Sequence, residues 1–140
     1  METNRRNLTL AQIERYNKTR DEMDSRCREQ FIRNARTWLR RHPEAGGRIP
    51  LDPNATFQGC RTTKYGGSYP GDIVAVSFDA EGRVLFDHHD ESGTEKDLHC
   101  TLNTENGVYV EDWPWALQIL LEHLEAPYVP NDANAGASAA

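Results

Sequence analysis

The feature that most constrains this chain is an amphipathic stretch over residues 9–42. Ile13, Tyr16, Met23, Cys27, Phe31 and Trp38 are spaced 3, 7, 4, 4 and 7 apart. At 100° per residue they fall within about 80° of one another, an apolar stripe on one long helix. Thr9 is placed to cap it, with Gln12 three residues on as the capping-box partner. Glu14–Lys18, Glu22–Arg26, Asp24–Arg28 and Glu29–Arg33 are acid-before-base pairs four apart. Each stabilises a helix surface by roughly 0.2–0.5 kcal/mol. Pro43 and then Gly46-Gly47 end the helix. The pattern is weakest at Asn17–Arg20, the place where a break would fall. The stripe is narrow enough to pack either on the chain's own sheet or against a second copy.

The remainder alternates rather than spirals. Residues 44–71 form a long connection with six Gly and three Pro, within which 55–60 has the character of a short edge strand. The Gly-rich run Lys64–Gly71 reads as a mobile loop carrying Tyr65 and Tyr69. Residues 72–111 read as a four-stranded antiparallel meander, with strands at 73–78, 84–87, 97–102 and 108–110. Its turns are Asp79–Gly82, the polar loop His88–Glu95, and Asn103–Gly107. Asp112 then caps a second helix over 112–126, whose core face is Leu117, Leu120, Leu121 and Leu124. Residues 127–140 read as a disordered tail. The expected fold is a single α+β domain over 1–126. It has a long N-terminal helix, the meander with a possible extra edge strand, and the C-terminal helix packed on one sheet face. The other face, with Ser77, Asp87 and Thr101, is expected to meet water.

Leu, Ile, Val and Phe make up only 26 of the 140 residues, so the core must be small and rely on aromatics. The charge is uneven. Residues 1–48 hold 12 Arg/Lys against 7 Asp/Glu, whereas residues 49–140 hold 4 against 15. A basic helix is joined to an acidic body. No apolar run approaches the ~18 residues of a membrane span, and the N-terminus lacks a secretory signal. Three widely separated cysteines, Cys27, Cys60 and Cys100, fit a reducing compartment and a cytoplasmic location. Phosphate-binding, zincin, nucleophile-elbow and Cys-finger motifs are all missing.

Several candidate sites remain. Asp87, Asp90, Glu91, Glu95 and Asp97 would present negative charge to a protein partner with a basic cleft. Arg33, Arg36, Arg40 and Arg41 end an arginine face on the long helix, which could meet nucleic acid or an acidic protein. Tyr65 and Tyr69 could clamp a ligand or partner from their loop. Trp113 and Trp115 both read as core. His88, His89 and His99, with Asp90, could serve a small metal-dependent enzyme. Adjacent His88 and His89 point to opposite faces of a strand, however, so a polar hairpin tip fits the cluster better. Cys60, beside Arg61 in a loop, is the one candidate for a reactive thiol. No catalytic set, cofactor or bound metal is expected.

These features favour a small acidic non-enzymatic binding protein. By analogy of size and charge it would be an inhibitor, of the immunity type or the phage anti-defence, anti-CRISPR type. It would block a nucleic-acid-handling protein by occupying its surface. Nucleic-acid binding through the arginine face and metal-dependent catalysis at the histidines are the alternatives. A homodimer through the N-terminal helix is compatible with any of them.

Overall fold

The computed structural model describes residues 8–63, 65, 67–102 and 106–125. The long helix α1 (Leu10–Arg41) is continuous, with no break at Asn17–Arg20. Thr9 caps it as its side chain implies: its hydroxyl accepts from the Gln12 N–H at 3.1 Å, and the Gln12 amide oxygen accepts from the Thr9 N–H at 2.8 Å. At the other end His42 stacks on Trp38, ring centroids 4.1 Å apart, before a single turn of tighter helix at Pro43–Ala45.

Among the described residues six strands follow: β1 (Arg48–Pro50), β2 (Phe57–Thr62), β3 (Ser68–Phe78), β4 (Val84–Asp90), β5 (Gly93–Thr101) and β6 (Gly107–Tyr109). The second helix α2 (Trp113–Glu125) comes last. The architecture is α+β, with helices at both ends of the chain. The sheet is not strictly a meander: it closes into a barrel. β3, β4 and β5 pair antiparallel in sequence order, but β6 lies parallel to β5 and antiparallel to β2. β2 pairs in turn with β3, and the ring is complete. The segment read as an edge strand is therefore an interior one. The 44–71 connection carries β1, β2 and the start of β3, and the loop read at His88–Glu95 is mostly strand. Closure removes the exposed backbone edges that an open four-stranded sheet would leave. The parallel β5–β6 pairing spans only Cys100↔Val108 and Thr101↔Tyr109. The returning chain thus backs up by only a short step. Gly107, at φ 144°, takes that step, because a Cβ there would collide with the His99 carbonyl.

The inner surface of the barrel carries Phe57, Ile73, Val76, Phe86 and Val108, all at most 1 % exposed. Phe31 of α1 enters this surface at one end. Its ring meets Phe57, Phe86 and Trp113 edge-on, with centroids 5.6, 5.9 and 5.6 Å away. Such pairs add about 0.5–1.5 kcal/mol each beyond area burial. α2 lies beside α1 with Trp113, Ala116 and Leu120 buried. Trp115 is 57 % exposed, contrary to the expectation that both tryptophans are core. The first turn of α2 points only one of them inward. Ser77 and Asp87, expected on a wet outer face, are 7 % and 4 % exposed. The curled sheet and the Arg48 side chain shield them. The tail at 127–140 lies outside the described residues.

The core is small and has one aromatic centre, so it has little redundancy. Phe31→Ala is expected to cost about 3–5 kcal/mol of stability, read as a shift in the urea midpoint. Trp115→Ala should change it by less than about 0.5 kcal/mol.

Candidate functional site

The end of the barrel away from Phe31 is polar. Phe57, Gly59 and Arg61 share one face of β2, so the inner surface runs from aromatic to glycine to cation along a single strand. Arg61 faces Tyr69 in the β2–β3 register. Its guanidinium lies 4.5 Å from that ring's centroid. It also lies 3.6 Å from Asp90 and 3.9 Å from Glu95. Three residues singled out from the sequence, Tyr69, Asp90 and Glu95, thus converge on an arginine that was not. The Ser92 hydroxyl and N–H both hold Asp90 below the usual carboxylate range; burial opposes them, and Arg61 and His88 assist. Tyr65 is 86 % exposed.

His88 sits below Arg61 with its side chain fully buried. Its Nε2 lies 3.1 Å from the Gly59 carbonyl, which can only accept, so Nε2 carries the proton. Nδ1 has no hydrogen-bond partner among the described residues and lies 3.8 Å from the Asp90 carboxylate. Room for the ring comes from Gly71, where a Cβ would sit 2.7 Å from His88 Cε1. The three histidines do not converge. His89 points the other way and bonds Thr94 Oγ1 at 2.7 Å, and His99 meets Asp79 at 3.2 Å on the outer surface. Among the described residues no group of three or more His, Cys, Asp or Glu is placed to hold a metal ion.

The outer surface has a second ion cluster. Asp87 accepts from Arg48 on one oxygen and from the Asp97 N–H, at 3.0 Å, on the other. Asp97 takes φ 59° at the bulge between β4 and β5 and binds the second arm of Arg48 at 2.9 Å. Asp87 is therefore a buried structural carboxylate, not an exposed docking group. A third cluster closes the β3–β4 turn, where Arg83 meets Asp79 at 2.8 Å and Glu81 at 3.4 Å. Burial alone would raise Asp79, but the Arg83 N–H, His99 and the Arg83 guanidinium bring it down to about 2.

Comparison with known proteins gives no relation. No family model, curated protein or solved structure matches the chain.

The basic candidates divide as well. Arg36 bonds the Gly82 carbonyl at 2.6 Å and lies over Phe78, so it pins α1 to the β3–β4 turn. Arg33, Arg40 and Arg41 remain exposed. Arg33 and Arg40 line a shallow groove with Glu29, Ile32 and Thr37. Cys60 lies in β2 rather than a loop, and burial pushes the Cys100 thiol up to about 12. Sequence reasoning missed Arg48, Arg61 and the burial of His88. The inward parity of Phe57, Gly59 and Arg61 was the available signal for Arg61.

Asp87→Asn is expected to destabilise the fold by about 2 kcal/mol. This lies below the usual 3–5 kcal/mol for a broken buried pair, because Arg48 keeps 36 % of its side chain in water. Chemical denaturation of the variant checks it. A carboxyl whose folded pKa lies below its unfolded value stabilises above the unfolded value. That stabilisation is lost as pH falls through the folded one. Asp79 moves from an ordinary 3.8 to about 2. The stability difference between the protein and Asp79→Asn should therefore be near its full value above about pH 5, be mostly lost by about pH 2 and continue to fall below it, as followed by urea melts across that range.

Proposed function

We propose that this is a small non-enzymatic binding protein whose acidic barrel occupies the basic cleft of a protein partner. Among inhibitors, the immunity type and the phage anti-defence, anti-CRISPR type fit this mode, with a nucleic-acid-handling protein as the target. The observation that carries the reading is the arrangement of the barrel's arginines. Arg48, Arg61 and Arg83 are each bracketed by two carboxylates, so each cluster keeps a net negative charge. These three arginines are turned to the barrel's own acids. Asp72, Glu91 and the outer part of Glu95 are left facing water around one end. Asp72 is in register with His89, two positions before Glu91 in the hairpin. An exposed rim of this sign speeds encounter with a basic cleft and resists anionic competitors.

No described helix is long and apolar enough to cross a membrane. A cytoplasmic site of action belongs to the proposal and is supported by three cysteines held as free thiols. Nucleic-acid binding through Arg33, Arg40 and Arg41 is the competing reading.

The test is affinity capture from the native host, followed by assay of the captured protein on nucleic acid. The expected result is a basic nucleic-acid-handling partner whose activity is blocked at one-to-one stoichiometry. Asp72→Asn/Glu91→Gln/Glu95→Gln should weaken capture at least about tenfold, as expected for rim charges acting together, with the fold unchanged by circular dichroism. Arg33→Glu/Arg40→Glu should leave capture intact. The reverse pattern, together with a salt-sensitive gel shift of duplex DNA, would transfer the function to the helix.

A further inference from the structure

The three buried residues of α1 all lie in its C-terminal part: Phe31, Ala35 and Trp38. The N-terminal part runs past the body. Cys27 is half-buried and packs on the core, and from there toward the N-terminus the stripe comes out into water. Before that point Leu10, Ile13, Tyr16 and Met23 are 72, 41, 67 and 48 % exposed. From Leu10 to Met23 the helix reaches about 20 Å. An apolar stripe of this kind on an isolated surface marks an interaction site.

We propose that two copies of the chain pair antiparallel through this part of α1. The spacing of the exposed Ile13, Tyr16, Arg20 and Met23 is 3, 4 and 3, the period of a coiled-coil seam, and the next position, Cys27, already packs on the chain's own core. Arg20 occupies a central seam position, and it decides both occupant and direction. In a parallel pair Arg20 would face Arg20, two like charges brought out of water. In the antiparallel pair Ile13 faces Met23 and Tyr16 faces Arg20, and two-fold symmetry makes each contact twice. The cation then lies against an aromatic ring, the contact Arg61 already makes with Tyr69 inside the barrel. In the single chain Arg20 holds only a loose exposed pair with Asp21 at 3.6 Å, so it is available to turn. On the flanks Asn17 meets Asn17 and Thr19 meets Thr19 near the axis, Gln12 meets Arg26 and Leu10 meets Asp24, with no like charges opposed. The seam is therefore complementary to itself in one direction.

Such an interface buries on the order of 1,000 Å² in total, the low end for specific association, so the dimer should depend on concentration. The pairing uses no acid of the barrel rim, so it stands or falls independently of partner capture.

Sedimentation velocity of the full chain across the micromolar to sub-millimolar range tests it. The wild type should double in mass with concentration. Ile13→Asp/Met23→Asp, altering only exposed positions, should stay monomeric with unchanged circular dichroism and unchanged partner capture. Direction is read by mixing Ile13→Cys with Met23→Cys under oxidation and mapping linked peptides by mass spectrometry. A 13–23 disulfide is expected from the mixture. None is expected between two copies of residue 13, which lie about 15 Å apart in the antiparallel pair. A monomer at all concentrations, a dimer that survives Ile13→Asp/Met23→Asp, or a 13–13 disulfide would each overturn the proposal.

Discussion

Phe31 is the contact on which the rest of this structure depends. A barrel of five strands has an interior too narrow for a second layer of its own side chains. It must therefore be filled at each end by something that fits. At one end a single helix residue, surrounded edge-on by Phe57, Phe86 and Trp113, does the filling. That contact orients α1 and brings α2 alongside it. It also sets where the helix leaves the body, because the stripe remains in phase with Phe31 while its burial falls off between Cys27 and Met23.

The polar end is filled differently. Arg61 cannot enter a small barrel without compensation, since removing a cation from water costs several kcal/mol. Tyr69 covers its face, and Asp90 and Glu95 approach its edge. The same arrangement, one arginine between two carboxylates, recurs with Arg48 outside and Arg83 at the turn. Each cluster fixes a local geometry: a barrel mouth, a bulge or a hairpin. Each also leaves one surplus negative charge. The acidity of the body is thus partly a by-product of how its few cations are used, and the proposed docking charge comes from the carboxylates left over around the mouth.

Much of this was legible in the chain, and the rest was hidden for identifiable reasons. The long helix is a local object: its cap, stripe and stop are written in adjacent residues, and its boundaries differ from expectation by one residue at each end. The hairpin at Asp79–Gly82 is equally local. Barrel closure is not, because nothing in the spacing of 55–60 reveals that it lies between β3 and β6 rather than at an edge. The run Asp87–Glu91 resembles a polar loop because three of its members are charged and two are histidines. Strand parity instead sends Asp87 outward into the Arg48 cluster and His88 inward over Gly71. In sequence Arg48 falls with the basic N-terminal stretch, directly after Gly46-Gly47, yet it belongs to the sheet and offsets one of the two acids beside it. Asp87 and Asp90 are indistinguishable by composition. Only the bulge, which brings the Asp97 N–H onto Asp87, separates a structural carboxylate from one at the mouth.

The two parts of α1 use one stripe for two purposes. Between Phe31 and Trp38 the stripe is buried, and its residues answer to the shape of the barrel end. Between Leu10 and Met23 no barrel lies beneath it, so the fold places no demand for apolar residues there. Polar ones would raise solubility at no cost to the core. Apolar residues persist at helical spacing, and the interruption is a single arginine rather than a run of charges. A charge in the middle of an apolar stripe weakens indiscriminate sticking, because most partners would have to bury it unpaired. It is compatible with a partner that supplies an aromatic face at the matching height, and Tyr16, one turn away on the same stripe, is such a face in the opposite direction.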